Sequence, residues 1–331
     1  MLKAVGVVLL LLFAVLAGAL GWFVWFAASP LHLPADSVDF SITSGSSLKS
    51  ASRQMVEAGL AMPETAFTLL GRASGRATQI KAGSYEAVPG DTPWILLRKI
   101  TQGEYQLAEV VFIEGWTFAQ VRAALDAHES VRHDTRGLSD ADIMARLGEP
   151  ATPAEGRFFP DTYLFAKGEP DLKILARSHR AMEKQLQAAW AVKGDSPIQT
   201  PAEALTLASI IEKETGVAKE RPLIAGVFAN RLKRGMKLQT DPTVIYGLGA
   251  RFDGNLRRRD LTDDTPFNTY TREGLPPSPI ANPGKSALLA AVNPAPTDAL
   301  YFVARGDGTH QFSRSLEEHN RAVSRFQRGG R

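Results

Sequence analysis

The longest uninterrupted hydrophobic stretch of the chain lies near its N-terminus, from Val5 to Phe26 (VGVVLLLLFAVLAGALGWFVWF). A helix of about 20 apolar residues is long enough to cross a bilayer. A cleaved signal peptide is the alternative, but its apolar core usually has only about 7–15 residues. The pattern therefore favours an uncleaved, single-pass transmembrane helix within residues 1–28. Lys3 and the N-terminal amine indicate a cytoplasmic N-terminus, with the chain beyond Ala27 on the opposite side of the membrane.

A short proline-containing linker, residues 29–37, separates this helix from a region in which strand-like and helix-like hydrophobic patterns alternate. Val38–Ile42 has the alternating pattern of a strand, and two helical patterns follow before a second short strand at residues 81–86. Thr92, followed by proline, predicts the start of a further helix. These elements predict a small, mixed α+β unit over residues 38–105.

The rest of the chain, residues 106–331, predicts a larger mixed α+β domain. Val110–Ile113 has the composition of a buried strand, and Thr117 is the expected N-cap of the helix that follows. The middle of the domain is mostly helical in pattern, whereas its last third is richer in polar loops and ends with two short strands and a helix. Loops commonly carry function, so we expect the core motifs within residues 200–320.

Composition and charge exclude several classes of function. The 331 residues include 38 Lys and Arg against 35 Asp and Glu, a net charge of +3, so the chain lacks the strongly basic surface expected of a nucleic-acid-binding protein. There is no cysteine, which excludes disulfides, thiolate zinc sites and a thiol nucleophile.

Two glutamates stand at the end of an otherwise apolar helical run, LASIIEKETG at residues 207–216. Thr200 and Glu203 have the spacing of a capping box, and together with the proline after Thr200 they predict the start of this helix. Helical spacing places Glu214 in line with the apolar face and Glu212 on its flank, while Ser209 marks the polar side. Burial and the negative end of the helix dipole would raise the pKa of Glu214, as a general acid requires. The alternative is an ordinary ion pair of either glutamate with Lys213, Lys219 or Arg221.

Loops rich in amides, hydroxyls and aromatic rings follow this helix. Prolines stiffen them, which is typical of a groove for neutral, hydroxyl-rich sugars but also of ordinary turns. Several long motifs run through the helix and the loops: LASIIEKETG, LQTDPTVIYGLG, PFNTYTREGLPPSPIANPG, YFVARGDGTHQFSRSLEEHN and, less distinctly, EGRFFPDTYLF. In these motifs and their order the chain resembles the MltG-type (YceG-like) endolytic murein transglycosylases, bacterial enzymes anchored in the inner membrane.

The resemblance implies an activity and a location. Such enzymes cleave the bond between N-acetylmuramic acid and N-acetylglucosamine within nascent peptidoglycan strands and leave 1,6-anhydro ends. The family's catalytic glutamate lies in the EKET segment, which points to Glu214, the residue that the helical-face argument also selects. Residues 38–105 are expected to be similar to a LysM-like glycan-binding module. The resemblance further implies a periplasmic catalytic domain, no cofactor, and penicillin-binding proteins and other wall synthases as partners.

The loop chemistry and the matching motifs together predict a substrate groove. The residues expected to line it are Asn230, Gln239, Asp241, Tyr246, Asn268, Tyr270 and Asn282. Two other functions stay open: a two-carboxylate muramidase, with Asp241 or Glu212 as the second carboxylate, and a non-enzymatic wall-binding scaffold. His310, Glu318 and His319 lack the compact spacing of a metal site, and a Gly-x-Ser-x-Gly serine nucleophile motif is absent from the sequence.

Overall fold

A computed structural model describes residues 2–327, which divide into two compact units. The first unit contains residues 2–108 with the short segments 130–132 and 164–169, and the second contains the rest. The N-terminal amine and the Lys3 side chain, on which the predicted orientation depends, lie outside the described part. Residues 328–331, the end of the predicted catalytic domain, also lie outside it.

The first unit begins with a long apolar helix, followed by a two-stranded sheet and three shorter helices. In chain order its elements are α1 (Leu2–Ala28), β1 (Val38–Ile42), α2 (Leu48–Glu57), α3 (Glu64–Ala73), β2 (Gly83–Ala87) and α4 (Pro93–Gln102). From Val5 to Ala28, α1 is long and apolar enough to span a membrane. Its apolar side chains are mostly exposed, but Phe26 packs into the core of this unit.

The predicted α+β character of the small unit is confirmed. β1 pairs antiparallel with β2, and the rings of Phe40 and Tyr85 stack across the pair with their centroids 5.6 Å apart. Alternate residues of β1 are buried, because only one face of the sheet packs against the helices. Thr92 caps α4 as expected, accepting a hydrogen bond from the backbone of Ile95 at 3.2 Å.

The remaining elements are mainly helical. They are β3 (Leu107–Val111), α5 (Phe118–Ala127), α6 (Asp140–Arg146), β4 (Thr162–Ala166), α7 (Asp171–Ala191), α8 (Pro201–Glu214), α9 (Arg221–Lys233), α10 (Asp241–Leu248), a 3₁₀ turn (Gly249–Arg251), α11 (Arg258–Thr262), α12 (Lys285–Val292), β5 (Tyr301–Ala304), β6 (His310–Ser313) and α13 (Leu316–Phe326). β3 pairs with β4, and β5 pairs antiparallel with β6. The expectation of a buried strand at Val110–Ile113 is wrong, because Val111 and Ile113 are exposed and only Val110 and Phe112 are buried.

Helix α8 lies at the centre of the second unit and packs against α7, α9, α10 and α12. Every residue from Ala204 to Glu212 is buried, so α8 is covered on all sides. The expectation that Ser209 marks a polar side is therefore wrong. Its hydroxyl donates to the Thr206 carbonyl at 2.7 Å and accepts from the Ile280 backbone at 3.0 Å, which satisfies it within the core.

The start and the end of α8 have local causes. Thr200 accepts a hydrogen bond from the Glu203 backbone at 3.2 Å, and Pro201 occupies the first turn, as predicted. The Glu203 carboxylate bonds the backbone of Gln199 rather than that of Thr200, so only half of the expected capping box forms. The backbone becomes extended at Thr215, which leaves Glu214 as the last helical residue.

Candidate active site

Glu214 projects from the end of α8 into a cleft and is only partly exposed. The Thr240 hydroxyl donates a hydrogen bond to its Oε1 atom. Burial raises the pKa of the Glu214 carboxyl to about 7, and the nearby charge of Asp241 acts in the same direction. The Thr240 hydrogen bond and His310 oppose this shift in pKa without cancelling it. A carboxyl of this kind exchanges a proton near neutral pH.

A buried threonine cluster holds Thr240 in place. The Thr240 backbone N–H donates to the Thr269 hydroxyl at 3.1 Å, and the Thr243 hydroxyl donates to the Thr240 carbonyl at 2.8 Å. The hydroxyls of Thr243 and Thr269 lie 2.9 Å apart, and all three side chains are buried. The preceding residue, Gln239, has a φ of 53°, a left-handed conformation that is uncommon outside glycine. Such a constrained backbone fixes the direction of the hydroxyl that contacts Glu214.

The cleft around Glu214 has a volume of about 420 Å³. One wall carries Asp241, at the start of α10, whose Oδ1 accepts a hydrogen bond from the Tyr270 hydroxyl at 2.5 Å. Residues of β5, β6 and α13 also line the cleft, among them Tyr301, His310 and His319. The cleft thus combines carboxylates, imidazoles and aromatic rings, a mixture suited to a polar ligand with apolar faces.

Arg231 forms part of the cleft floor and is almost fully buried. Its Nε donates to the Leu300 carbonyl at 2.7 Å, and its Nη1 donates to the Leu238 carbonyl at 3.0 Å and to the Gln239 side chain at 3.1 Å. The guanidinium also lies 5.0 Å from the centre of the Tyr301 ring. Arg231 therefore joins the segment that precedes Thr240 to the start of β5.

His310 is held by a carboxylate at the edge of the cleft. Its Nδ1 lies 2.7 Å from Glu220 Oε2, and its backbone N–H donates to Glu220 Oε1 at 2.9 Å. Nearby, the His319 ring stacks on Tyr301 with a centroid distance of 5.2 Å. Within the described residues no group of three or more His, Cys, Asp or Glu side chains is arranged to hold a metal ion.

Glu212, two residues before Glu214, has different surroundings. Its Oε1 accepts from Arg221 Nη2 at 2.6 Å and its Oε2 accepts from the Gly284 backbone at 2.8 Å. Burial raises the pKa of Glu212, while the Gly284 hydrogen bond and Arg221 lower it. Arg221 also contacts Glu114 at 3.6 Å and bonds the Ser286 hydroxyl. The ion pair considered from the sequence thus forms at Glu212 with Arg221.

The structure brings together only part of the predicted groove. Gln239, Asp241 and Tyr270 line the cleft with Glu214. Tyr246, near the end of α10, instead lines a separate cavity and packs against the Phe267 ring at 4.9 Å.

The three predicted asparagines bind backbone groups away from the cleft. The Asn230 amide donates to the carbonyls of residues 297 and 299 at 2.8 and 3.0 Å. Asn268, 1% exposed, donates to three carbonyls of residues 260–263. Asn282, also 1% exposed, accepts from the Phe158 backbone and donates to the Trp116 carbonyl. Each of these amides bonds backbone groups of the protein itself, so their placement favours a structural role over substrate contact.

Thr240, Arg231, Tyr301 and His310 are cleft residues that the sequence-based groove prediction omitted. Thr240 lies between Gln239 and Asp241, which were both predicted to line the groove. Its place in the same motif could therefore have identified it. His310 was considered only as a metal ligand, and the glutamate that holds it lies 90 positions earlier in the chain. Local sequence gives no sign of such a contact.

This fold and cleft define a class: mixed α+β proteins with one partly buried glutamate of raised pKa at the end of a central helix. A sequence model described as the YceG-like family matches residues 40–325, and the chain belongs to that family. The resemblance inferred from the motifs is thereby confirmed.

Named relatives agree with this assignment. The chain is 32% identical over 307 residues to a Bacillus subtilis protein named endolytic murein transglycosylase, covering 88% of this chain and 85% of that protein. It is 28% identical to a Streptococcus pneumoniae protein of the same name, covering 96% of this chain but only 64% of the pneumococcal one. A crystal structure of a yceG-like protein from Listeria monocytogenes is 30% identical, with a TM-score of 0.53, covering 86% of this chain and 98% of that one.

Proposed function

We propose that this chain cleaves peptidoglycan strands internally, at the bond between N-acetylmuramic acid and N-acetylglucosamine, with Glu214 as the acid and base. By its family and the names of its relatives the chain is a murein lytic transglycosylase, and hence a lyase. The assignment of Glu214 rests on one observation: its carboxyl has a pKa of about 7 and opens into a cleft.

The reaction requires one group that first gives and then takes a proton. Glu214 in its protonated form donates to the glycosidic oxygen, and the bond from that oxygen to C1 of the muramic residue breaks. The Glu214 carboxylate then removes the proton of the C6 hydroxyl, whose oxygen bonds to C1. The 1,6-anhydro ring closes, the proton returns to Glu214, and no water is consumed.

A pKa of about 7 suits both halves of this cycle, because the protonated and ionised forms are similarly populated near neutral pH. Thr240 stabilises the carboxylate through its hydrogen bond, so the ionised form has a fixed partner. Gln239, Asp241 and Tyr270 are the proposed substrate contacts within the cleft.

A hydrolase is the second candidate, because Asp241 supplies another carboxylate in the same cleft. Its Oδ1 is bonded to the Tyr270 hydroxyl, which favours a role in shaping the cleft over activating water. The products separate the two functions.

The first unit supports a further part of the proposal. Its apolar helix α1 fits a single-pass anchor in the inner membrane, with a cytoplasmic N-terminus and the second unit in the periplasm. The order β1, α2, α3, β2 fits a LysM-like module that binds glycan. Nascent strands, penicillin-binding proteins and other wall synthases are the proposed partners, and cleavage would end strand elongation.

The test is mass spectrometry of products formed from uncrosslinked glycan strands by the full-length chain in detergent. We expect 1,6-anhydro ends from wild type and a rate about 10²–10⁴-fold lower from Glu214→Gln. Asp241→Asn should still give anhydro ends.

Reducing ends from wild type that disappear in Asp241→Asn would establish the hydrolase instead. No cleavage by folded wild type would favour the scaffold, and full activity of Glu214→Gln would remove Glu214 from the mechanism.

A further inference from the structure

A second and larger cavity, of about 880 Å³, lies in the second unit and has no part in the proposed chemistry. Its walls include Phe118 at the start of α5, the loop around Ala154 and Glu155, and Tyr246 on α10. A cavity of this size can hold a ligand of several residues or sugar rings.

Glu155 is the central polar group of this cavity. Its Oε1 accepts from the backbone of Phe118 at 3.0 Å and from that of Gly156 at 3.3 Å, and Tyr246 lines the same cavity. Burial raises the pKa of the Glu155 carboxyl to about 7. Among the described residues no Lys, Arg or His lies within ion-pair distance of it.

A purely structural role explains only part of this arrangement. The hydrogen bond from Phe118 fastens the loop before β4 to the start of α5, and a glutamine oxygen would accept both backbone bonds equally well. The negative charge is not required for that contact. Buried carboxylates are normally paired with a cation, so a ligand that supplies one would stabilise the ionised form of Glu155.

The cavity walls narrow the choice of ligand. Small apolar residues contribute much of the surface: Ala119, Ala141, Pro150, Ala151, Pro153 and Ala154. Three hydroxyls at the cavity already donate within the protein: Thr117 to Gln120 at 3.3 Å, Thr152 to Glu149 at 2.9 Å, and Ser278 to the Pro279 carbonyl at 3.2 Å. Few donors remain for a hydroxyl-rich sugar, whereas a small apolar ligand with one positive charge meets both requirements.

We propose that this cavity binds a primary ammonium group carried by a short peptide of small apolar residues, with Glu155 as its counter-ion and Tyr246 beside it. The inference rests on the proposed function, in which such a peptide would be a stem of the murein strand. α10 connects the two sites: Asp241 at its start lines the Glu214 cleft, and Tyr246 lies about 7.5 Å further along the helix axis. A stem bound here would add affinity for peptide-bearing strands.

The test is calorimetric titration of the full-length chain in detergent with N-acetyl-Ala-Ala-Lys-amide, whose single cation is the lysine ε-ammonium. The control ligand is the same peptide acetylated on that amine. Losing a charge-assisted hydrogen bond should weaken binding by about 10–100-fold, both on acetylation of the peptide and in Glu155→Gln. Glu317→Gln is the control, because Glu317 does not line the cavity and forms an exposed pair with Arg321 at 2.9 Å, and it should change the affinity by less than about twofold.

Equal affinity for the two peptides, or wild-type affinity in Glu155→Gln, would overturn the proposal. Binding of an N-acetylglucosamine tetramer that depends on Glu155, without peptide binding, would make the cavity a sugar site instead. If Glu155→Gln loses its folded circular dichroism spectrum, Tyr246→Phe replaces it, with weaker peptide binding expected and unchanged binding counting against the proposal. The peptide carries no glycosidic bond, so failure here is separate from failure of Glu214 in the cleavage assay.

Discussion

Glu212 and Glu214 lie two residues apart at the C-terminal end of α8, but their surroundings differ. The Glu212 side chain is 3% exposed and has Arg221 and the Gly284 backbone as fixed partners. Glu214 receives a threonine hydroxyl and opens into a cleft, and no Lys or Arg of the described residues lies within ion-pair distance of it. Burial raises the pKa of both carboxyls. Burial alone therefore does not identify an acid; what distinguishes Glu214 from Glu212 is that it opens into a cleft and has no permanent cation.

The first way to test this contrast is to remove the charge of Glu212. Glu212→Gln leaves the Arg221 guanidinium buried without its closest counter-charge, so we expect the free energy of unfolding to fall by about 3 kcal/mol. Urea unfolding followed by circular dichroism measures it. Glu317→Gln, in an exposed pair with Arg321, is the control and should cost no more than about 0.5 kcal/mol. A similarly small effect of Glu212→Gln would mean that the two glutamates do not differ in the way described.

The same substitution at Glu214 should raise the free energy of unfolding at alkaline pH instead of lowering it. Its folded-state pKa of about 7 exceeds the ordinary value of 4.5, so its contribution to stability is present below pH 4.5 and is lost as the pH rises through 7. Glu214→Gln removes that loss and should stabilise the protein at pH 8 by about 3 kcal/mol. At pH 4 the variant and wild type should agree within about 0.5 kcal/mol. Thermal unfolding at the two pH values measures the difference, and a destabilised variant at pH 8 would contradict the raised pKa.

The smallest effect concerns Thr240. Thr240→Val removes the hydroxyl that stabilises the Glu214 carboxylate, so the pKa of Glu214 should rise by about half a unit. The alkaline limb of kcat/KM should move upward by the same amount, whereas Thr240→Ser, which keeps the hydroxyl, should restore the wild-type profile. A fall in rate without a shift of the limb would indicate that Thr240 contributes to packing alone.

Local signals predicted the start of α8 well. Thr200 and Pro201 fix its start, and helical spacing leads from the buried Leu207 to Glu214. Helical spacing placed Glu214 on an apolar face and Glu212 on its flank, but α8 is buried on all sides and Glu212 is the more buried of the two, so the choice of Glu214 stays a prediction. The strands and helices of the small unit were predicted because periodicity and capping depend on residues within a few positions of each other.

The groove was predicted less well, because its contacts join distant parts of the chain. Asn282 bonds the Trp116 carbonyl, 166 positions away, and Asn230 bonds carbonyls 67 and 69 positions away. From sequence, an amide that satisfies backbone groups looks the same as one that faces a sugar. Composition suggested a polar groove. Only the tertiary fold shows that Tyr270 lines the cleft whereas Asn268 bonds backbone carbonyls.

The most direct test of the central claim, that Glu214 is held protonated near neutral pH, is an infrared titration of its carboxyl. The spectrum of Glu214→Gln is subtracted from that of wild type at each pH from 4 to 9, which cancels Glu155 and Glu212. We predict a protonated-carboxyl band that disappears with a midpoint of about 7. A band already lost by pH 5 would show that Glu214 is an ordinary ionised glutamate and would contradict its role as the acid.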